Sequence, residues 1–352
     1  MALTNSRLTV KKAVRILLPL VMLSTFSVAQ LKPASPPIAD PRDTRFESVQ
    51  EDWTSPVLST STLKPVQPLS TGVIDRTANT LEIIRVQWRW GDPIELYVMK
   101  PKGIVKPPVV LFLYGHNSDT DRFLDERFQE GATRNGFAAV GFVSALAGHR
   151  YHDRPMKKWF VSELDESLAV SAHDVQMILN YLGTRGDLDM TRVGMFAQDS
   201  GASIAILTSA VDPRIKVLDV VDPWGDWPEW IKGSPAVPEG ERASLLSPEF
   251  LKKTSSLDPV TWLPKVQATK LRFQDALFAP TTPKVAKEKL RAAVPSGATV
   301  VVYKTPEDTK AIMSDTNVLD WIKHELQSMS TPQAESKIAE QSTKDTIPST
   351  SH

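Results

Sequence analysis

Two hydrophobic patterns follow one another in the first third of the folded region. In residues 81–90 and 94–100, apolar and polar positions alternate on either side of Gly91-Asp92-Pro93. This alternation predicts a hairpin of two half-buried strands. Residues 108–114 are continuously apolar, which is typical of a strand that is buried on both faces of a sheet. The sequence therefore predicts a sheet with a hairpin on one side.

Short apolar runs and helical patterns alternate from there to residue 326. Strands are predicted at residues 137–144, 193–196, 215–221, 271–273 and 299–303, and helices at 121–135, 163–182, 283–293 and 315–326, with a further helix after 193–196. Strands that alternate with helices imply parallel βαβ units with right-handed crossovers. We predict the α/β fold class, with a mostly parallel central sheet and helices on both faces.

Neither end of the chain shows a sustained periodicity of hydrophobic residues. The first residues combine four basic side chains, an apolar stretch at 16–26 and Ser27-Val28-Ala29, which is typical of a secretory signal peptide cleaved after Ala29. An uncleaved anchor is the alternative, but the apolar run is shorter than the roughly 20 residues of a spanning helix. We therefore expect an exported protein, periplasmic or secreted. We predict a signal peptide at 1–29, a Pro/Ser/Thr-rich, weakly ordered extension at 30–79, one α/β domain at 80–327 and a disordered tail at 328–352.

Composition excludes several classes of function. The chain has 352 residues, no cysteine and a formal net charge of zero, and removal of the four basic residues of the signal peptide leaves a charge of −4. A weakly acidic surface does not attract phosphate backbones, so no nucleic-acid partner is expected. Without cysteine there is no disulfide, thiol catalysis or Cys–zinc site. No later stretch is apolar enough to cross a membrane, and no pattern indicates an oligomeric state.

The most informative stretch is the strand–turn–helix pattern at residues 192–210. Ala197-Gln198-Asp199-Ser200-Gly201 has small residues two before and two after its central position. That spacing is required at a nucleophile elbow, where strand and helix pass in contact with each other. Asp199 is then the apical, projecting group, and Ser200 offers its backbone N–H to an oxyanion. Ser200 as nucleophile is an alternative, but it would place Gln198 at a crowded position.

Residues 81–326 resemble the α/β-hydrolase superfamily, in particular exported esterase-like members related to dienelactone hydrolase and acetyl xylan esterase. The resemblance rests on the elbow, its helix and the following strand. It implies hydrolysis of a small-molecule ester or related acyl substrate, with Gly115 and His116 in the oxyanion loop. An apical aspartate is more similar to haloalkane dehalogenases and epoxide hydrolases, whose nucleophile is a carboxylate.

The two other positions of the superfamily's catalytic triad depart from its pattern. Ala279 stands where the acid is expected, and Asp275, four residues earlier, is at least as readily a solvated or helix-capping residue. The loop after residue 303 contains no histidine before His324, which we place on a solvated helix face. Asp199 without a base would stall after one turnover. A catalytically inactive binding protein of the cell envelope is therefore the alternative to an esterase.

A substitute base would have to come from another strand end. His116 and His149 directly follow predicted strands, and His152 lies close behind, although a local hydrogen-bonding role is the simpler interpretation of each. His173, within a long helix, is assigned to a packed or capping network. His116, Asp119, Asp121, His149, His152 and Asp226 could converge at one rim, but no metal-site spacing is present. We predict neither a metal nor a cofactor.

A tryptophan cluster marks an insertion at about residues 222–266. Trp224, Trp227 and Trp230 recur at every third position within a Pro- and Ser-bearing stretch that fits a cap above the sheet edge. Such a cluster can stack against a sugar or aromatic ligand, but it more often packs a cap onto the core, which we favour. Trp224 and His149 are predicted substrate contacts by their position.

Overall fold

A nine-stranded mixed sheet is the centre of the described part of the chain. The computed structural model describes residues 51–58, 66–89, 92–115, 121–142, 164–313 and 318–329, all of which belong to one unit of the chain. The strands are β1 (Val66–Asp75), β2 (Asn79–Arg89), β3 (Asp92–Pro101), β4 (Pro108–Leu113), β5 (Ala138–Phe142), β6 (Asp189–Gln198), β7 (Ile215–Val221), β8 (Lys270–Ala276) and β9 (Thr299–Tyr303). Their order in the sheet is β1-β2-β3-β5-β4-β6-β7-β8-β9.

The sheet is antiparallel at one edge and parallel elsewhere. β1, β2, β3 and β5 pair in antiparallel fashion, whereas β5, β4, β6, β7, β8 and β9 are mutually parallel. The parallel strands place their carboxyl ends at one edge of the sheet, where ligands bind in open α/β sheets. The predicted α/β class with a mostly parallel sheet is confirmed.

Helices cover both faces of the sheet. They are α1 (Asp121–Leu124), α2 (Glu126–Thr133), α3 (Leu164–Gly183), α4 (Asp199–Val211), α5 (Trp227–Gly233), α6 (Glu239–Leu245), α7 (Pro248–Ser255), α8 (Pro259–Trp262), α9 (Lys284–Ala292), α10 (Pro306–Met313) and α11 (Asp320–Ser328). Successive β4 residues point to opposite faces, so Leu111 packs in the core beneath α3 and α4 and Phe112 in the core beneath α2 and α11. This double burial explains why the strand is apolar throughout.

The hairpin, the buried strand at β4, and the strands at β7 and β9 lie where the sequence predicts them. Several details differ, of which three concern whole elements. β1 lies within the stretch predicted as a weakly ordered extension. The helix predicted at 121–135 is divided at Asp125, whose carboxylate accepts hydrogen bonds from the N–H groups of Arg127 and Phe128 and so begins α2. The loop expected after β9 contains α10, which the sequence pattern did not predict.

Four short helices, α5 to α8, and a 3₁₀ turn at Leu263–Lys265 form the insertion between β7 and β8. Their apolar residues pack on the core beneath α3 and α4. None of the helices in the described ranges is long and apolar enough to span a membrane. The predicted signal peptide and the predicted C-terminal tail from residue 330 lie outside the described residues.

Candidate active site

The turn between β6 and α4 has the geometry of a nucleophile elbow. β6 ends at Gln198, and Asp199 adopts a left-handed backbone conformation with φ of 51°. Asp and Asn tolerate this region better than other side chains because they are short and polar. A Cβ added to Gly201 would lie 2.7 Å from the Leu113 carbonyl oxygen. Only glycine fits there, so this residue allows α4 to pass against the end of β4.

Asp199 lies beside the backbone of the neighbouring strand end. In the parallel register Leu113 is opposite Ala197, which places Gly115 two residues further on beside Asp199. A Cβ on Gly115 would lie 3.1 Å from both Cβ and Oδ2 of Asp199. The absence of a side chain at Gly115 therefore gives the Asp199 carboxyl group its position. Within the described residues this carboxyl group has no hydrogen-bond or salt-bridge partner.

Burial and a like charge make the Asp199 carboxyl group a weaker acid than usual. Burial is the main cause, and the nearby Asp222 carboxylate adds to it, while Lys287 acts in the opposite direction; together they raise the pKa of Asp199 to about 6. Ser200, the next residue, is buried in the first turn of α4. Its backbone N–H is among the helix N-terminal donors that lack an intrahelical acceptor. The turn thus combines an apical carboxyl group with an adjacent amide donor.

Three aspartates occupy neighbouring strand ends. Gln198 is opposite Val221 in the β6–β7 register, so Asp199 and Asp222 are the next residues along. Val221 is in turn opposite Gln274, which places Asp275 beside Asp222. Asp222 has a φ of 47°, nearly the same as Asp199. Because adjacent strands are about 4.8 Å apart, the three side chains form a row along the carboxyl edge of the sheet.

Lys287 of α9 binds two members of this row. Its Nζ is 3.0 Å from Asp222 Oδ1 and 3.4 Å from Asp275 Oδ1, and it donates a hydrogen bond of 2.5 Å to the Ala276 carbonyl oxygen. The Ala276 N–H also donates to Asp222 Oδ1, at 2.7 Å. Arg291, one turn further along α9, binds the second oxygen of Asp275 at 2.7 Å. Burial raises the pKa of Asp222, although Lys287 and the Ala276 N–H oppose the rise.

Asp275 differs from the interpretation that its sequence position favoured. It belongs to β8 and is buried, with both oxygens facing cations. The expectation of a solvated or helix-capping loop residue is wrong, because β8 continues to Ala276 instead of ending at Phe273. The sequence reasoning also missed Asp222 and Lys287. Asp222 was detectable as a carboxylate directly after a predicted strand, and Lys287 as a charged residue beside Ala286 and Leu290 on the buried face of a helix.

The histidines divide into those that the structure describes and those that lie outside it. His116, His149 and His152, the predicted substitute bases and substrate contacts, lie outside the described residues. His324 is on α11 with its side chain 79% exposed, as predicted for a solvated face. His173 is buried, with Nδ1 2.7 Å from Glu51 Oε2 and Nε2 3.0 Å from the Ser55 carbonyl oxygen. This agrees with the packed network predicted for it.

The rim residues considered as metal ligands do not form a described cluster. His116, Asp119, His149 and His152 lie outside the described residues, and the side chain of Asp121 is likewise not described. Asp226 is paired with Lys289 at 2.7 Å. The described residues contain no group of three or more His, Cys, Asp or Glu side chains suited to a metal ion.

The tryptophans pack the insertion onto the core. Trp224 is 3% exposed, and its ring stacks on Trp230 with centroids 4.7 Å apart. Trp227 meets Trp230 edge to face at 5.9 Å. This burial agrees with the packing interpretation of the cluster and leaves little of the Trp224 ring for a substrate to contact.

A cavity of about 510 Å³ adjoins the elbow on the α2 side of the sheet. It is lined by Phe112, Tyr114, Arg122, Asp125, Arg127, Phe128, Gly131, Ala132, Phe196, Gln198, Val318 and Leu319. Asp199 is not in its lining, so the cavity lies next to the elbow instead of containing it. The Arg122 guanidinium lies 3.7 Å from the ring centroid of Tyr114. Burial raises the pKa of Tyr114 to about 12, although Arg122 opposes the rise.

Solved structures with a similar fold were found by comparison. Acetyl xylan esterase 1 from Thermoanaerobacterium sp. JW/SL YS485 superposes with a TM-score of 0.61, at 15% identity over 75% of this chain and 89% of the other. The chain has the α/β-hydrolase fold. An acetyl xylan esterase from Paenibacillus sp. R4 shares the α/β-hydrolase fold at a TM-score of 0.58 and 15% identity, over 82% of this chain and 99% of the other.

One sequence relative matches a shorter part of the chain than the solved structures do. "Putative hydrolase YtaP" of Bacillus subtilis (strain 168) is 26% identical over 171 residues, which are 44% of this chain. The match spans 56% of the length of that relative. No family model matches the sequence. These similarities agree with the α/β-hydrolase fold predicted from the elbow, and they carry no residue roles.

Proposed function

We propose that the protein is a hydrolase of esters or related acyl compounds, in which Asp199 is the reactive carboxylate. The observation that carries this proposal is the placement of the Asp199 carboxyl group, at the apex of a strand–turn–helix, beside Gly115 and the Ser200 N–H. The similarity to esterases in fold supports a hydrolytic role, and the chemistry is argued from the site alone.

Each step follows from groups at the elbow. An oxygen of ionised Asp199 bonds to the acyl carbon, and the Ser200 N–H stabilises the negative charge that develops on the carbonyl oxygen. The bond to the alcohol then breaks, the alcohol takes up a proton, and an acyl-aspartyl anhydride remains. Water hydrolyses the anhydride to release the acid and restore Asp199. A carboxylic anhydride is more reactive than an ester, so this second step demands less of a base than a histidine triad supplies.

The proposal also includes the location of the protein and the class of ligand that it binds. Export to the periplasm or to the outside of the cell is supported by the composition of residues 1–29. The proposed partner is a small ester or acyl ligand. Asp199 lies at the carboxyl edge of the sheet, which is where ligands bind in open α/β sheets.

The experiment is hydrolysis of p-nitrophenyl acetate by the purified full chain. We expect Asp199→Asn to lower kcat/KM by roughly 10²-fold or more, because the amide is not a nucleophile. Asp212→Asn is the matched control, since Asp212 lies at the other end of α4 and should leave kcat/KM unchanged. Because the nitrophenolate of this substrate leaves without a proton, the wild-type rate should rise with pH through about 6, as Asp199 ionises.

Two results would contradict the proposal. Undiminished activity of Asp199→Asn would remove Asp199 from the reaction. No activity above a buffer blank with acetyl, butyryl and aryl esters would instead favour a ligand-binding role for the hydrolase fold.

A further inference from the structure

Within the described part of the chain, the row of strand-end aspartates contains more carboxyl groups than cations. Lys287 and Arg291 supply two positive charges, which match Asp222 and Asp275. Asp199 is a third carboxyl group, next to Asp222 in the register and with no described cation bound to it. A buried cluster favours electrical neutrality because an unpaired charge in a medium of low dielectric constant is costly. One proton on the carboxyl groups gives that neutrality.

The contacts decide which carboxyl groups compete for the proton. Both oxygens of Asp275 face cations, Lys287 on one side and Arg291 on the other. Asp222 receives the Ala276 N–H and the Lys287 ammonium on the same oxygen, Oδ1, so the described contacts leave Oδ2 available to carry a proton. Among the described residues, Tyr303 of β9 is a further titratable side chain that the Asp222 charge influences. These contacts leave Asp199 and Asp222 as the two carboxyl groups of the row that can carry the proton.

We propose that Asp222 is the proton donor and acceptor of the site, and that Lys287 is the positioning residue that holds Asp222 beside Asp199. The role given to Asp222 in turnover rests on the proposed function. The sharing of one proton between Asp199 and Asp222 does not. With this assignment Asp222 is the general acid and base of the site, a role for which the described residues offer no histidine near Asp199.

The proton balances over a complete turnover. Turnover starts from the arrangement of the shared proton in which it has moved from Asp199 to Asp222, so that Asp199 is ionised and Asp222 is protonated. Asp199 attacks the acyl carbon, and Asp222 gives its proton to the leaving alcohol oxygen. Asp222, now ionised, takes a proton from the water that attacks the anhydride. The carbon–oxygen bond to Asp199 breaks, and Asp199 leaves as a carboxylate. The pair again holds one proton, and the net reaction is ester plus water to acid plus alcohol.

The primary test measures the titration of Asp199 directly, by carboxyl ¹³C NMR on the full chain, with the Asp199→Asn variant identifying its signal. Asp222→Asn removes the like charge, so the pKa of Asp199 should fall below about 6, although burial, the main cause of the rise, remains. Lys287→Met removes the cation, so the pKa should rise above 6. Lys289→Met is the matched control on the same helix, because Lys289 binds Asp226, and it should leave the pKa near 6.

The absence of cysteine from the chain allows the charge itself to be restored. Lys287→Cys introduces a single thiol. Alkylation with 2-bromoethylamine in denaturant, followed by refolding, places an ammonium group at nearly the lysine position. This protein should recover the wild-type titration, whereas alkylation with iodoacetamide should not. If Lys287→Met does not fold, these two alkylated proteins and Asp222→Asn complete the test.

Activity measurements separate this inference from the proposed function. With p-nitrophenyl acetate, Asp222→Asn should release roughly one nitrophenol per active site in a burst and then slow down, because the anhydride no longer has its base. Lys287→Met should move the acidic limb of the kcat/KM profile above pH 6. If no ester is hydrolysed but the titrations shift as stated, the proposed function fails and the shared proton stands. An Asp199 titration that is the same in folded Asp222→Asn and Lys287→Met would overturn the inference.

Discussion

Two buried charged clusters of this protein are built from the same residue types and differ in how completely they are paired. The first, which we name the N-terminal clasp, consists of Glu51, Arg89, His173 and Asp174. Arg89 binds both oxygens of Glu51 and, at 2.5 Å, Asp174, and both ring nitrogens of His173 lie within hydrogen-bond distance of an oxygen atom. The second, the strand-end row, leaves the Asp199 carboxyl group without a described hydrogen bond or cation.

The difference shows which cluster is suited to chemistry. In the clasp both carboxylates are bound by Arg89, so the cluster joins residue 51 to β2 and α3. In the strand-end row the Asp199 carboxyl group, at the apex of the elbow, has no cation or hydrogen-bond donor among the described residues, and the stability of the rest of the fold offsets the cost of its burial. Perturbed carboxyl groups that a protein leaves unpaired are characteristic of reactive sites.

Removing the central cation of the clasp should have the largest effect on stability. Arg89→Met leaves Glu51 and Asp174 buried without their cation, so we expect the free energy of unfolding to fall by about 3–5 kcal/mol. Urea unfolding at pH 7 measures the change. Arg85→Met, on the same strand with an exposed partner in Glu95, should cost less than about 1 kcal/mol. Equal losses for the two variants would mean that the clasp is no more than another surface ion pair.

The clasp also marks where sequence patterns stop being informative. The β2–β3 hairpin and β4 were predictable because their burial imposes alternation or a continuous apolar run. β1 was not, because it is an edge strand whose Leu69 and Val73 are exposed, so burial imposes no pattern on it. The structural role of Glu51 was likewise not predictable. It lies in a Pro/Ser/Thr-rich stretch, and its partners are 38 and 122 residues away.

The candidate site was predictable only in part, for a related reason. The spacing of Ala197, Asp199 and Gly201 reflects local crowding, so the elbow could be recognised from one segment. The strand-end row depends on the register of three strands, which no single segment records. Lys287 is buried because α9 reaches the ends of β7 and β8, and a lysine within a helical pattern is ordinarily assigned to solvent. Contacts between elements therefore define the part of the site that the sequence did not reveal.

A second prediction uses pH to distinguish the clusters. Burial acts to raise the pKa of Glu51, but hydrogen bonds from His173 and Arg89 outweigh it, and the net pKa is lowered. A carboxylate of lowered pKa stabilises the fold above its ordinary value of 4.5 and loses that contribution as pH falls through its folded pKa. We expect Glu51→Gln to cost about 2 kcal/mol at pH 7 and less as pH falls below 4.5. Parallel urea curves at pH 7 and pH 4 measure this, and a cost that grows on acidification would contradict it.

Asp199 should behave in the opposite sense, with the smallest effect of the three. Its pKa is raised to about 6, so the ionised form weakens the fold above pH 6, and the penalty disappears as pH falls toward 3.8. Asp199→Asn removes the charge and keeps a side chain that tolerates a φ of 51°. At about 1.4 kcal/mol per pKa unit, and allowing for partial exposure, we expect it to stabilise the protein by about 1–2 kcal/mol at pH 8. That gain should vanish by pH 4 in thermal or urea unfolding, whereas a loss of stability at pH 8 would place Asp199 among the paired, structural carboxylates of the clasp type.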